Sequence, residues 1–161
     1  MHTDKLKWDR RFLNLAALLA SWSKDPSTQV GAVIAHPVTH RIIQSTLNGP
    51  PHGFPDDPGI LEDRDAKYSC MIHAEENALL FAKESLVGMT VYTYPVPPCS
   101  RCAAKLLQMG ITRVVAPSTV PADFGERWSA SLEMARRIFD GRVQFDLVAV
   151  EIKNPLFDKS L

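Results

Sequence analysis

The sequence is poor in cysteine, carries no excess charge of either sign and has no long apolar run, and each shortage removes a class of protein. Cys70, Cys99 and Cys102 are the only thiols in 161 residues. So few, and an odd number, make no disulfide framework and point instead to a reducing, cytoplasmic setting. Lysine plus arginine equals aspartate plus glutamate at 18 each, so no bulk basic field draws in nucleic acid or an anionic membrane. The one early apolar run, Leu13 to Ala20, is broken by Asn14 and falls well short of the roughly 20 apolar residues that span a membrane. Lys5, Lys7, Arg10 and Arg11 precede it as in a signal peptide. Trp22-Ser23-Lys24-Asp25 follows where a small-residue cleavage site would stand, so no targeting segment is expected.

What is present is enough apolar residue, 45% of the chain, for one compact domain over 1–161. Trp8, Phe12, Leu15, Ala16, Leu18, Leu19 and Trp22 recur at helical spacing, which predicts a helix with both tryptophans in the core. Asp25-Pro26 ends it, because a residue before proline is pushed out of the helical region. Gln29 to Ala35 and Arg41 to Leu47 read as strands joined by a turn at Pro37 to His40. From Asn48 to about Cys70 the chain is dense in Gly, Pro and Asp, the composition of a lid or binding loop, with a short helix expected within 60–68. Beyond it, helices are predicted at 73–84, 99–109 and 126–140, the last two closed by Gly110 and Gly141. Strands are predicted at 90–94, 113–116 and 144–150. Strands joined through helices make a sheet covered by helices, an α/β domain.

Two short motifs carry the chemistry: His73-Ala74-Glu75 and Pro98-Cys99-Ser100-Arg101-Cys102, each at a predicted helix start. Cys99 and Cys102 share one helix face at that spacing, and the positive helix end favours their thiolates, the forms that bind metal. One His and two Cys suit Zn2+ in a site that keeps a fourth position open. Zinc lowers the pKa of a bound water from about 16 towards 7, and Glu75 is placed as the general acid/base beside it. The pair H-x-E and P-C-x-x-C is the signature of zinc deaminases. Other readings of the same residues remain: a redox Cys99/Cys102 pair, which would leave His73 and Glu75 without a role, or a closed structural zinc site with Cys70 as fourth ligand. His2, His36, His40 and His52 read as loop or solvent histidines, with His52 alone placed to touch a ligand.

The chain also resembles the deoxycytidylate (dCMP) deaminase family of the cytidine deaminase superfamily over about residues 8–150. The similarity lies in Trp8-Asp9-Arg10-Arg11-Phe12, in Ser23-Lys24-Asp25-Pro26-Ser27-Thr28-Gln29-Val30-Gly31-Ala32, in Asn48-Gly49-Pro50-Pro51-His52-Gly53 and in the two metal motifs. The resemblance implies a three-layer α/β/α sandwich around a five-stranded mixed sheet and hydrolysis of dCMP to dUMP plus ammonia. It implies His73, Cys99 and Cys102 as zinc ligands and Glu75 as the catalytic residue. It also implies Asn48 and the Ala74 main chain at the substrate, with Ser23 and Lys24 on the phosphate side, Lys24 serving alternatively to cap a helix end. Partners so implied are a small nucleotide substrate, dCTP and dTTP as effectors, and further copies of the chain in a homo-oligomer, a hexamer in many members, with no nucleic acid and no membrane.

The chain departs from that pattern where Thr46-Leu47 replaces Gly-Tyr, where Glu76 replaces a common leucine, and in Pro117 to Trp128, which lacks the tyrosine many members place over the base. Phe124 and Trp128 are the aromatic residues at hand there, for that position or for packing. A 5-substituted dCMP, a nucleoside, a free base, a polynucleotide and a non-catalytic zinc-binding module are the alternatives to dCMP hydrolysis.

Overall fold

A computed structural model describes residues 2–152. Helix α1 (His2–Ala20) leads into the hairpin β1 (Gly31–Ala35) and β2 (Ile42–Leu47). Two short helices, α2 (Pro58–Glu62) and α3 (Arg64–Cys70), occupy the stretch expected to be mostly loop. Then come α4 (Ala74–Phe81), β3 (Thr90–Tyr94), α5 (Ser100–Gln108), β4 (Arg113–Pro117), a 3-10 turn at Ala122–Phe124, α6 (Gly125–Phe139) and β5 (Gln144–Val148). The strands form one sheet in the order β2-β1-β3-β4-β5. Strand β1 is antiparallel to both its neighbours, while β3, β4 and β5 are parallel. The mixed five-stranded sheet therefore has four strands running one way and β1 alone running back.

Alternation along the strands sorts the core into two layers. Val33, Ala35, Tyr92 and Val115 pack against Phe12, Leu13, Ala16 and Leu19 of α1. Ile34, Val91 and Val114 face the other way, against Ala78, Ala103, Leu106, Ala135 and Phe139 of α4, α5 and α6. Gly31 lets α1 lie close on β1: a Cβ there would stand 1.9 Å from the Ala16 carbonyl oxygen. Between α1 and the sheet edge, Arg113 donates to both carboxylate oxygens of Asp9 at 2.7 Å and reaches Asp146.

One core assignment is corrected. Trp22 is 60% exposed, because α1 stops at Ala20 and the turn that follows carries the ring outward. Trp8 is half-buried and stacks on His40 at 4.2 Å between ring centroids. The Asp25-Pro26 pair lies beyond the helix end, and Ser21 and Trp22 close the last turn by hydrogen bonds to Ala17 and Leu19. No helix among the described residues is long and apolar enough to cross a membrane.

Candidate active site

Because β2, β3 and β4 run in the same direction, their carboxyl ends deliver Asn48, Cys99 and the 118–124 segment to one rim of the sheet. That is the rim where ligands sit in open α/β sheets. His73 and Cys99 occupy the N-cap positions of α4 and α5, in extended conformation, and neither side chain caps its own helix. A missing cap costs about 1 kcal/mol each. Here the two side chains turn toward one another instead, and the positive ends of both helices face the same point.

His73 Nδ1 lies 3.5 Å from Cys99 Sγ and 3.4 Å from Cys102 Sγ. All three donor atoms are within 4.8 Å of one another, and they are the one such His/Cys/Asp/Glu group among the described residues that could hold a metal ion. Zn–S and Zn–N bonds of about 2.3 and 2.0–2.1 Å at tetrahedral angles set an N···S edge near 3.5 Å. The donor set thus fits zinc in both chemistry and size. Cys70 is half-buried and donates weakly to the Lys67 carbonyl at 3.6 Å, so it is not part of the group.

The three donors share protons tightly. A hydrogen bond from Cys102 pulls the Cys99 thiol down to about 4, against its burial, with His73 adding to the effect. The same contact with Cys99, and burial, push Cys102 up. The hydrogen bond to Cys99 holds His73 up at about 9 despite its desolvation. Glu75 is 3% exposed. Burial raises its carboxyl to about 7, with His73 working in the other direction. A carboxyl placed there both takes and gives up a proton near neutrality.

Two cavities with shared walls open on these groups. A cleft of about 580 Å3 runs over His73, Cys99 and Cys102, with Glu76 and Lys105 on its wall. A smaller inner chamber of about 40 Å3 reaches Asn48, Ala74 and Glu75. That chamber is large enough for two or three waters, at about 10–15 Å3 apiece. Tyr68, Met71 and Trp128 line both. Glu76, in the place of a leucine, is held by an ion pair to Lys105; burial pushes its carboxyl up, but that contact, aided by His73, outweighs it and leaves the carboxyl below the usual range. Trp128 meets buried Phe124 edge-on at 4.9 Å.

Of the four expected substrate contacts, Asn48 and Ala74 line the inner chamber, whereas Ser23 and Lys24 line neither cavity. The Ser23 hydroxyl is buried and donates to the Asn48 carbonyl at 2.9 Å. Lys24 is exposed, pairs with Asp56 and lines a groove of about 250 Å3 on the outer side of 48–53, with His52. The Asn48 side chain accepts from the Val30 amide at 2.9 Å and donates to the Thr28 carbonyl at 2.7 Å. Sequence reasoning did not find Tyr68, Met71 or Lys67. Lys67 and Tyr68 stand at the edge of a charged stretch that reads as solvated; the docking of α3 buries Lys67 and sets the still exposed Tyr68 against both cavities.

A sheet with helices on both faces, a His–Cys–Cys cluster at two helix starts and a buried glutamate beside it define the class of the zinc deaminases. The family profile described as the cytidine and deoxycytidylate deaminase zinc-binding region matches residues 6–118. An uncharacterized deaminase from the luxG 3' region of Aliivibrio fischeri is 44% identical over 133 residues, covering 83% of this chain and 87% of that protein. Mouse deoxycytidylate deaminase is 36% identical over 135 residues, covering 80% and 75%. The crystal structure of dCMP deaminase from the cyanophage S-TIM5, in complex with dCMP and dUMP, superposes with a TM-score of 0.64 at 20% identity, covering 85% of this chain and 93% of that one; it is similar in fold. The chain belongs to the cytidine and deoxycytidylate deaminase family.

Proposed function

We propose that this protein is a zinc-dependent hydrolase that converts dCMP to dUMP and ammonia. The observation that carries the reading is the convergence of His73, Cys99 and Cys102 beside a buried Glu75, at a chamber that shares its walls with a larger cleft. Membership of a zinc-binding family and the deoxycytidylate deaminases among its relatives support the metal and the substrate.

In this reading His73 Nδ1 and the two cysteine sulfurs hold the zinc, and two thiolates offset its charge. The metal, when bound, would make water nucleophilic at neutral pH. Glu75 carries one proton of the attacking water to the ring nitrogen, which keeps it, and then carries the second, from the hydroxyl added at the ring carbon, to the amine, whose bond to that carbon breaks. One water is consumed and one ammonia leaves. Burial holds Glu75 near 7, which suits a group that must do both. Asn48 and the Ala74 main chain hold the nucleotide from the inner chamber, and Tyr68 and Trp128 flank the ring. Ser23 acts through the Asn48 loop, and Lys24 serves the phosphate side from the outer groove. The family resemblance extends the reading to a homo-oligomer that responds to dCTP and dTTP.

Ammonia release by the zinc-loaded protein tests it, on dCMP, CMP, 5-methyl-dCMP, deoxycytidine, cytosine and a short single-stranded oligonucleotide, with and without dCTP or dTTP. Turnover confined to dCMP-like monophosphates is expected. Activity on a nucleoside, base or polymer would replace the substrate and keep the chemistry, and zinc binding without any turnover would overturn the enzyme.

A further inference from the structure

We infer that Lys67 is a positioning residue for the substrate: its buried ion pair with Asp25 latches α3 onto the 23–30 turn and sets both walls of the inner chamber. The inference rests on the reading of that chamber as the nucleotide site.

Lys67 and Asp25 are among the few charged side chains the fold buries, at 7% and 5% exposed. An ammonium and a carboxylate leave water only when each finds its partners inside. Lys67 Nζ donates to Asp25 Oδ1 at 2.9 Å and also to the Ser27 hydroxyl. The same carboxylate oxygen accepts from the Ser27 and Thr28 amides, both at 2.9 Å. The other oxygen receives the Asn48 amide at 3.5 Å. One cation on α3 is thus tied through one carboxylate to the turn before β1 and to the side chain that follows β2.

Two consequences for the chamber follow from these contacts. First, the Asn48 amide has a single allowed orientation. Its oxygen accepts from Val30 and its nitrogen faces Thr28 and Asp25, so a flip would set donor against donor at Val30. Second, α3 has no buried apolar residue: Lys67 is its one buried side chain. A seven-residue helix without apolar burial has little to hold it in place, so its docking depends on this ion pair. Its neighbours Tyr68 and Met71 line both cavities, with Trp128, His73 and Cys99. Asp25 itself lines the chamber.

A second tie, the paired main-chain hydrogen bonds between Gly49 and Ile72, holds the chain beyond α3 in the latch's absence. Removing the cation therefore loosens the chamber wall and leaves the His73, Cys99 and Cys102 group in place.

The test uses the zinc-loaded full chain with Lys67→Met and Lys67→Arg, read by steady-state dCMP deamination, zinc stoichiometry and amide hydrogen exchange. For Lys67→Met the expected result is a KM about tenfold or more higher with kcat changed by about threefold or less, as a loss of ground-state positioning gives. Zinc content stays unchanged, and the Ser27, Thr28 and Val30 amides exchange faster. Lys67→Arg recovers most of the KM. A KM and an exchange pattern like the parent's, with only a lower melting temperature, would overturn the latch, and so would a fall in kcat at unchanged KM. If Lys67→Met does not fold, the Asp25→Asn/Lys67→Met pair removes both charges and is judged by the same two readouts. If the parent protein turns over no dCMP, the proposed activity fails. The exchange measurement still decides the latch: kept protection at Ser27, Thr28 and Val30 sinks it, and lost protection supports it.

Discussion

The Thr46 hydroxyl donates to the Ala74 carbonyl oxygen at 2.7 Å, with both residues buried. The bond ties the end of β2 to the first residue of α4, one position before Glu75. Glycine, which the family pattern places there, could not make it. Thr46→Val keeps the shape and removes the donor. The expected outcome is a loss of about 1 kcal/mol of stability and a fall of about three- to tenfold in kcat from misplacing Glu75. Thermal melts and steady-state assays check the two separately.

Glu75→Gln removes the proton carrier and keeps the side-chain volume. Turnover should fall by about 10²- to 10⁴-fold, with zinc content and melting temperature close to the parent's. Zinc analysis alongside ammonia release measures both, and undiminished turnover would discard Glu75 as the acid/base.

Zinc removal should destabilise the fold locally before it does so globally. His73 and Cys99 leave their own helix starts uncapped, and a metal held between them binds only the folded arrangement. Chelation, or Cys102→Ser, is expected to lower the melting temperature and speed amide exchange in the first turns of α4 and α5. A melting temperature indifferent to chelator would contradict this.

The site was legible in the sequence to the extent that it consists of short motifs at element boundaries. His73, Glu75, Cys99 and Cys102 fall in two segments whose spacing is set by single helix turns, and β3 at Thr90–Tyr94 coincides with its apolar run. What could not be read depends on contacts across the fold. Lys67, with the charged residues 62–67, looks solvated until Asp25 is brought against it. Trp22 continues the apolar periodicity of α1 but falls beyond the last helical residue. Ser23 and Lys24, adjacent in sequence to a chamber residue, are turned away from the chamber, one to the Asn48 carbonyl and one to Asp56. The stretch 48–70, expected as a loop with one short helix within 60–68, contains two, because Asp57 and Asp63 each cap a helix, accepting from the Gly59 and Ala66 amides at 2.9 and 2.8 Å.

Gly31→Ala should be among the most damaging small changes in the chain. Its Cβ would meet main-chain atoms of α1 at Ala16 and Ala20, which cannot rotate away. A loss of about 1–3 kcal/mol, typical of overpacking, is expected in urea unfolding, whereas Gly49→Ala, with open space around it, should change little.

Acid should release the α3 latch. Burial pushes the Asp25 carboxyl up, but hydrogen bonds from Ser27, Lys67 and Thr28 outweigh it and leave the pKa below the ordinary value. The unfolded chain then binds the proton more readily than the folded one, so the contribution is fully present above pH about 4 and fades as pH falls through the lower folded value. Asp25→Asn, which leaves Lys67 buried without its counter-charge, should be about 3 kcal/mol or more less stable than the parent at pH 7. The gap should narrow below pH about 4, as urea midpoints across pH would show.

Strand β1 runs against the other four, and this divides the connections of the fold into two sets. Those on the rim of the candidate site, at 21–30, 48–73, 95–99 and 118–124, carry Asn48, His73 and Cys99. Those on the far rim are short turns around His40, Gly88, Gly110 and Gly141, each with positive φ. An engineer who needs to splice in a tag, a fluorophore or a second protein therefore has a side of the molecule to work from. Insertions at the far-rim turns stay a full strand length from His73, Cys99 and Cys102, whereas any graft on the near rim reshapes the mouth of the cleft above them.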